Sequence, residues 1–172
     1  MKFLNEDEII AGGSGVYRRL RRDALDILGS ALDAVDAKEA ILSKVARVGD
    51  ELRVGGEVYD LRRFRRVFVV GGGKAGGSMV EAVESLFGDR IAGGTVNLLR
   101  GTEGKYRVKH VQLVGASHPV PDEVGVRGVR EMLETVSGLT RDDLVVVIIS
   151  GGGSAIMPCP AEGITLDDLQ TI

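Results

Sequence analysis

Apolar residues recur at three- and four-residue spacing between Val16 and Val35: Leu20, Ala24, Ile27, Leu28, Ala31, Leu32 and Val35. That period places them on one face of an amphipathic helix. Arg18, Arg19, Arg21 and Arg22 fall on its solvated side. Upstream, Lys2 to Gly15 has no strong period and reads as a short helix or an irregular lead-in. Asp36 with Glu39 fits a capping box, which predicts a second helix from Ala37 to about Ala46. Leu52, Val54, Val58 and Leu61 flank Gly55-Gly56, the pattern of a short hairpin. Arg62, Arg63, Arg65 and Arg66 then lead into a β-favouring run, Val67 to Val70.

From there the pattern alternates. The run Val67 to Val70 enters a glycine-rich turn and then a helical stretch from Ser78 to Phe87, which Gly88 can close. Ala92 to Leu99 and Val108 to Val114 read as strands, with a loop from Arg100 to Tyr106 between them. Pro119 and Pro121 stiffen the loop Ala116 to Glu123, and Asp122 is placed to cap a helix running to about Ser137. Its inward positions are Val126, Val129, Met132, Leu133 and Val136. Leu144 to Ile149 is continuously apolar, as expected of a strand buried on both faces. Thr165 with Asp168 marks the start of one more helix.

This order predicts an α/β fold: a Rossmann-like, doubly wound, mostly parallel sheet with helices on both faces. Residues 1–66 would form helices and a hairpin leading into the sheet, and residues 67–172 the sheet domain itself. Three loops then share the rim at the carboxyl ends of the strands: those holding Lys74, His118 and Ser150–Ser154. The arginines before Val67 fall at the opposite end, away from the ligand side of such sheets.

Composition removes several classes. The formal charge of −3 gives no general attraction to nucleic acid or to acidic membranes, and Trp is absent. Cys159 is the only cysteine, and with His110 and His118 as the only histidines a zinc site lacks ligands. Between Pro158 and Pro160, Cys159 reads as a packing residue. No apolar run is long enough for a membrane span, and MKFLNEDEII is too acidic for a signal peptide. A cytoplasmic protein is therefore expected, and homo-oligomerisation stays open.

The chemistry sits in the loops. Gly71, Gly73 and Gly76 match the dinucleotide fingerprint, but no acidic residue ends the next strand to hold a ribose hydroxyl; Asn97-Leu98-Leu99-Arg100 stands there. Ala75 follows Lys74 where a phosphate-binding Walker loop needs a hydroxyl. What remains is a lysine, with Gly72 and Gly73, at a helix N-terminus, a natural place for a phosphate or carboxylate. Ser150, Gly151, Gly152, Gly153 and Ser154 form a second loop, with convergent backbone N–H groups and two hydroxyls suited to a phosphate. His118 locks its loop, contacts phosphate or handles a proton. Asp122 is a helix cap first and a Mg²⁺ ligand second.

Three blocks, VVGGGKAGGSM, SHPVPDE and ISGGGSAIMPCPAEGITLDDL, occur together in this order. As a set they resemble the glycerate 2-kinase family, ATP-dependent enzymes with a MOFRL-type C-terminal domain, some of which carry the label hydroxypyruvate reductase. Where Gly76 stands the family usually has Ala, and family members are more than twice as long. The resemblance implies an N-terminal domain of such a kinase, without its C-terminal domain. It implies transfer of the ATP γ-phosphoryl group to the 2-hydroxyl of glycerate, with Mg²⁺, in a cleft between two domains. Lys74 matches the lysine the family is held to use, and an arginine beyond Ile172 would be its counterpart. The 172 residues alone would then be inactive. A NAD(P)H-dependent hydroxypyruvate reductase and a non-catalytic sugar-phosphate-binding domain are the alternatives.

Overall fold

The computed structural model describes residues 3–171; Lys2, part of the expected lead-in, and Ile172 lie outside them. The chain divides into two compact units, one up to Ala40 and one from Ile41 onward.

In the first unit α1 (Glu6–Ala11) lies on α2 (Gly15–Ala34), and Arg21 Nη1 donates to the Ile9 carbonyl at 2.8 Å. The long helix forms as its period predicts. Its apolar face is nevertheless open: Leu20, Ile27, Leu28 and Val35 are all exposed, and within the helix only Gly29 is buried. Asp36 caps α3 (Ala37–Leu42) by accepting from the Glu39 N–H.

The expected extension of that helix to Ala46 does not occur. Val45–Val48 is instead β1, paired antiparallel with β2 (Glu51–Val54), which pairs with β3 (Glu57–Asp60) across the Gly55-Gly56 turn. The hairpin read from the sequence is thus two-thirds of a three-stranded meander. Local helix preference loses here to pairing with a neighbouring strand. Leu52 of this meander and Leu61, in the turn just after it, enter the same core as Val67 and Val69.

The main sheet contains β4 (Arg66–Gly72), β5 (Ile91–Leu99), β6 (Gln112–Ala116) and β7 (Asp143–Ile149) in the order β6-β5-β4-β7, all parallel. Two helices cover its two faces. Successive residues of a strand point to opposite faces. Val96 packs with Val80 and Val83 of α4 (Gly76–Phe87), while Asn97 beside it meets α5 (Glu123–Val136). The chain winds outward from β4 to β5 and β6, then returns through α5 to place β7 on the other side of β4. The reversal falls between β4 and β7, where open α/β sheets form their ligand crevice.

Four further sequence expectations shift. The strand expected at Val108–Val114 begins only at Gln112 and runs to Ala116. The backbone N–H groups of Lys109, His110 and Val111 go instead to the Glu84 carboxylate of α4, at 2.7 to 3.0 Å, so they do not enter the ladder. β7 is an edge strand, not one buried on both faces: Val147 is 60% and Ile149 65% exposed. Leu133, expected inward on α5, is also exposed, although Val126 and Met132 are buried. Cys159 is exposed and does not pack.

Candidate functional site

The carboxyl ends of β4 and β7 are held side by side by short backbone contacts. Gly72 lies opposite Ile149 in the parallel ladder, and the Ser150 N–H donates to the Gly72 carbonyl at 3.1 Å. The Lys74 N–H donates to the Gly151 carbonyl at 2.9 Å. The Ala75 N–H donates to Ser150 Oγ at 3.0 Å. The two glycine loops therefore form one tied structure. Gly73, at φ 129°, lies where a Cβ would stand 2.3 Å from Ser150 Oγ, so only glycine allows this approach.

Above this seam Lys74 and His118 meet. Gly152 has φ 86°, and a Cβ there would lie 3.1 Å from both Lys74 Cε and His118 Cδ2. The two side chains thus converge over bare backbone. Lys74 is exposed, and its ammonium has no ion pair among the described residues. His118 is half-buried and precedes a cis peptide bond to Pro119. Just behind Lys74, α4 begins with Ala75 at its N-cap, which supplies no side-chain cap. The helix dipole adds to the positive character at this point. One rim, one unpaired cation and an uncapped helix start make a place for an anion.

The other residues singled out from the sequence divide. Gly72, Gly73, Gly151, Gly152 and Gly153 all line the two tied loops. Ser150 is half-buried and its oxygen already accepts from Ala75, so it fastens the loops together. Ser154 is exposed on the short helix α6 (Gly153–Ile156). Asp122 is occupied. Oδ1 caps α5 by accepting from the Gly125 N–H at 2.9 Å, and Oδ2 pairs with Arg100. No cluster of three His, Cys, Asp or Glu suited to a metal exists among the described residues. Among the described residues the rim thus offers no ready-made cage of protein ligands for a Mg²⁺ ion.

Sequence reasoning passed over Asn97 except as the wrong residue for a ribose. It is wholly buried at the end of β5, and its carbonyl accepts from the Gly73 N–H at 3.1 Å. The signal was available, since a polar residue inside an apolar strand needs partners. Asn97 stands near the end of β5, where a dinucleotide site expects an acid. Glu103, the nearest candidate in sequence, holds its carboxylate against Gly115 of β6. An apolar groove of about 430 Å³ lies away from the rim, lined by residues such as Leu52, Met79, Val83 and Val147. The rim itself is open.

Fold and site define a doubly wound α/β domain whose switch point carries a lysine and a histidine on glycine-rich backbone. The chain belongs to the family described as a domain of unknown function, DUF4147, whose model matches residues 23–172. It is 32% identical over 151 residues to the glycerate 2-kinase of Pyrococcus horikoshii, covering 88% of this chain and 33% of that protein. It is 37% identical over 107 residues to a putative hydroxypyruvate reductase of Agrobacterium vitis, covering 62% of this chain and 24% of that one. The crystal structure of a glycerate kinase from Thermotoga maritima superposes with a TM-score of 0.70 at 28% identity, covering 89% of this chain and 33% of that one. The resemblance to glycerate 2-kinases carried by the three motif blocks is borne out. The chain spans about one third of the length of the curated relatives it matches. No helix among the described residues is long and apolar enough to cross a membrane.

Proposed function

We propose that this chain supplies the N-terminal part of an ATP-dependent glycerate 2-kinase, which moves the γ-phosphoryl group of ATP to the 2-hydroxyl of glycerate. The observation that carries the reading is the unpaired Lys74 ammonium, set beside His118 over Gly152 at the switch point. Phosphoryl transfer needs positioned positive charge more than covalent chemistry by the protein. Lys74 neutralises charge on the transferring phosphoryl group or on the glycerate carboxylate. The backbone of the Gly72–Lys74 and Ser150–Ser154 loops approaches the phosphates closely because no side chain intervenes. His118 closes the rim on the β6 side. The remaining wall of the cleft, with the ligands for Mg²⁺, comes from the rest of the longer protein, which works in the cytoplasm.

The names of the relatives support the kinase over the reductase. So does the rim, because Asn97 and Glu103 both turn away from the position a ribose carboxylate needs. The test is an assay of the full-length protein with ATP, Mg²⁺ and D-glycerate, with the product resolved as 2-phosphoglycerate. Formation of ADP and 2-phosphoglycerate is expected. NADH- or NADPH-dependent reduction of hydroxypyruvate without phosphoryl transfer would overturn the reading. The 172 residues alone are expected to give no turnover, since they span about one third of the length of the relatives.

A further inference from the structure

Asn97, wholly buried, bonds to segments that belong to different parts of the rim. It sits opposite Gly72 in the β4–β5 ladder. Its carbonyl accepts from the Gly73 N–H at 3.1 Å, in the turn that carries Lys74. Its side-chain Nδ2 donates twice. One bond, of 2.9 Å, goes to the Gly125 carbonyl in the first turn of α5, directly after the His118 loop. The other, of 2.8 Å, goes to the Ile156 carbonyl at the end of α6, directly after the Ser150–Ser154 loop. One buried residue thus ties the Lys74 turn to the helices that directly follow the other two rim loops.

The chemistry requires this side chain. Two carbonyls facing one position need a planar group with two N–H donors. Aspartate would set an acceptor against both. Leucine, of similar shape, would leave both carbonyls without a donor in a dry place. The Oδ1 atom has no hydrogen-bond partner, so the two donor bonds alone orient the amide. α5 comes close enough to enclose it: a Cβ on Gly128 would stand 2.0 Å from Oδ1. Such a residue could be no more than glue for the core. Its contacts, however, go to the segments that set where Lys74, His118 and Gly152 stand.

We infer that Asn97 is a positioning residue of the rim, which fixes the placement of Lys74 relative to the His118 and Gly152 loops without touching substrate. The inference rests on the kinase reading for its activity readout only. In the full-length protein, Asn97→Ala is expected to lower kcat/KM at least tenfold. On a Lys74→Arg background, where the charge is kept but displaced, the same change is expected to cost less than threefold. Equal losses in the two backgrounds, or a lowered Tm with unchanged kcat/KM, would overturn the inference.

A second measurement needs neither an Asn97 variant nor turnover. With asparagine-selective ¹⁵N labelling of the wild-type protein, pyrophosphate is titrated and the Asn97 side-chain NH₂ signals are followed. A saturable shift, abolished in Lys74→Ala, is expected, and an unmoved signal overturns the inference. Wild-type protein that fails to phosphorylate glycerate counts against the kinase reading, and the titration then decides Asn97 separately.

Discussion

Arg66 at the amino end of the main sheet and Lys74 at its carboxyl end both carry positive charge, and the fold treats the two in opposite ways. At the amino end Arg66 forms a two-pronged pair with Asp143, at 2.8 and 2.9 Å. Arg62 pairs with Asp60 at 2.8 Å, and Arg90 with Asp50 at 2.9 Å. Arg90 also donates to the carbonyls of Leu61 and Phe64. At the carboxyl end Lys74 stands over glycine backbone with no carboxylate to meet it. Charge answered by a built-in partner holds elements together. Charge left unanswered, beside a helix start and glycine backbone, is available to a ligand. The contrast locates the site more sharply than residue type does, since the amino end holds more basic residues.

The strongest way to break this contrast is to remove Lys74. Lys74→Ala in the full-length protein is expected to lower kcat/KM about 100-fold or more, the usual cost of losing a positioned electrostatic group (about 3 kcal/mol). The melting temperature should stay within a degree or two, because no described residue forms an ion pair with the ammonium. A wild-type rate would place the functional charge elsewhere. A large fall in Tm would make Lys74 structural and erase the difference between the two ends.

Next in size is Asp143→Ala, which should show the reverse. The Asp143 side chain is fully buried, accepts both prongs of Arg66, and also accepts from the Thr140 N–H. Removing it leaves Arg66 and the Thr140 N–H without their partner. Thermal melts should show Tm falling by several degrees, with kcat/KM of the folded protein kept within twofold. Loss of activity at unchanged Tm would mean that the two ends are coupled through the sheet.

How far all this was legible in the sequence differs between the two ends. β4, α4, β5, α5 and the caps at Asp122 and Thr165 follow from local period and capping chemistry, and the structure has them. So does the meeting of the three loops, because a parallel sheet sends all its carboxyl ends one way. What stayed hidden depends on distant partners. β1 needs β2 to be a strand at all. β6 starts late because Glu84, far back in the chain, takes the N–H groups before it. The apolar run of β7 signals burial, but only strand order reveals an edge. The Asp122 cap follows from the sequence, but its pairing with Arg100, from another loop, is visible only in space. Lys74 was found from local glycines, yet its lack of a partner is visible only in space.

The smallest expected effects sharpen the comparison within the amino end itself. Asp60 and Asp143 are both aspartates paired with arginine, and both have acidities shifted the same way. The Arg62 hydrogen bond holds the Asp60 carboxyl down at about 2, and that of Arg66 holds Asp143 well below the usual carboxylate range. A lowered folded value means that the stabilisation is present in full above about pH 4, where an unfolded aspartate is ionised. It drains away as pH falls from there toward the folded values. Burial separates the two. The Asp60 and Arg62 side chains are 41% and 75% exposed, so water screens the pair and the long arginine loses entropy to form it. Melts from pH 6 down to pH 2 should therefore show a shallower acid fall in Asp143→Asn than in the wild type, while Arg62→Ala should trace the wild-type curve almost unchanged. A flattened curve in Arg62→Ala as well would show that partner identity, and not burial, decides which arginines at this end hold the sheet.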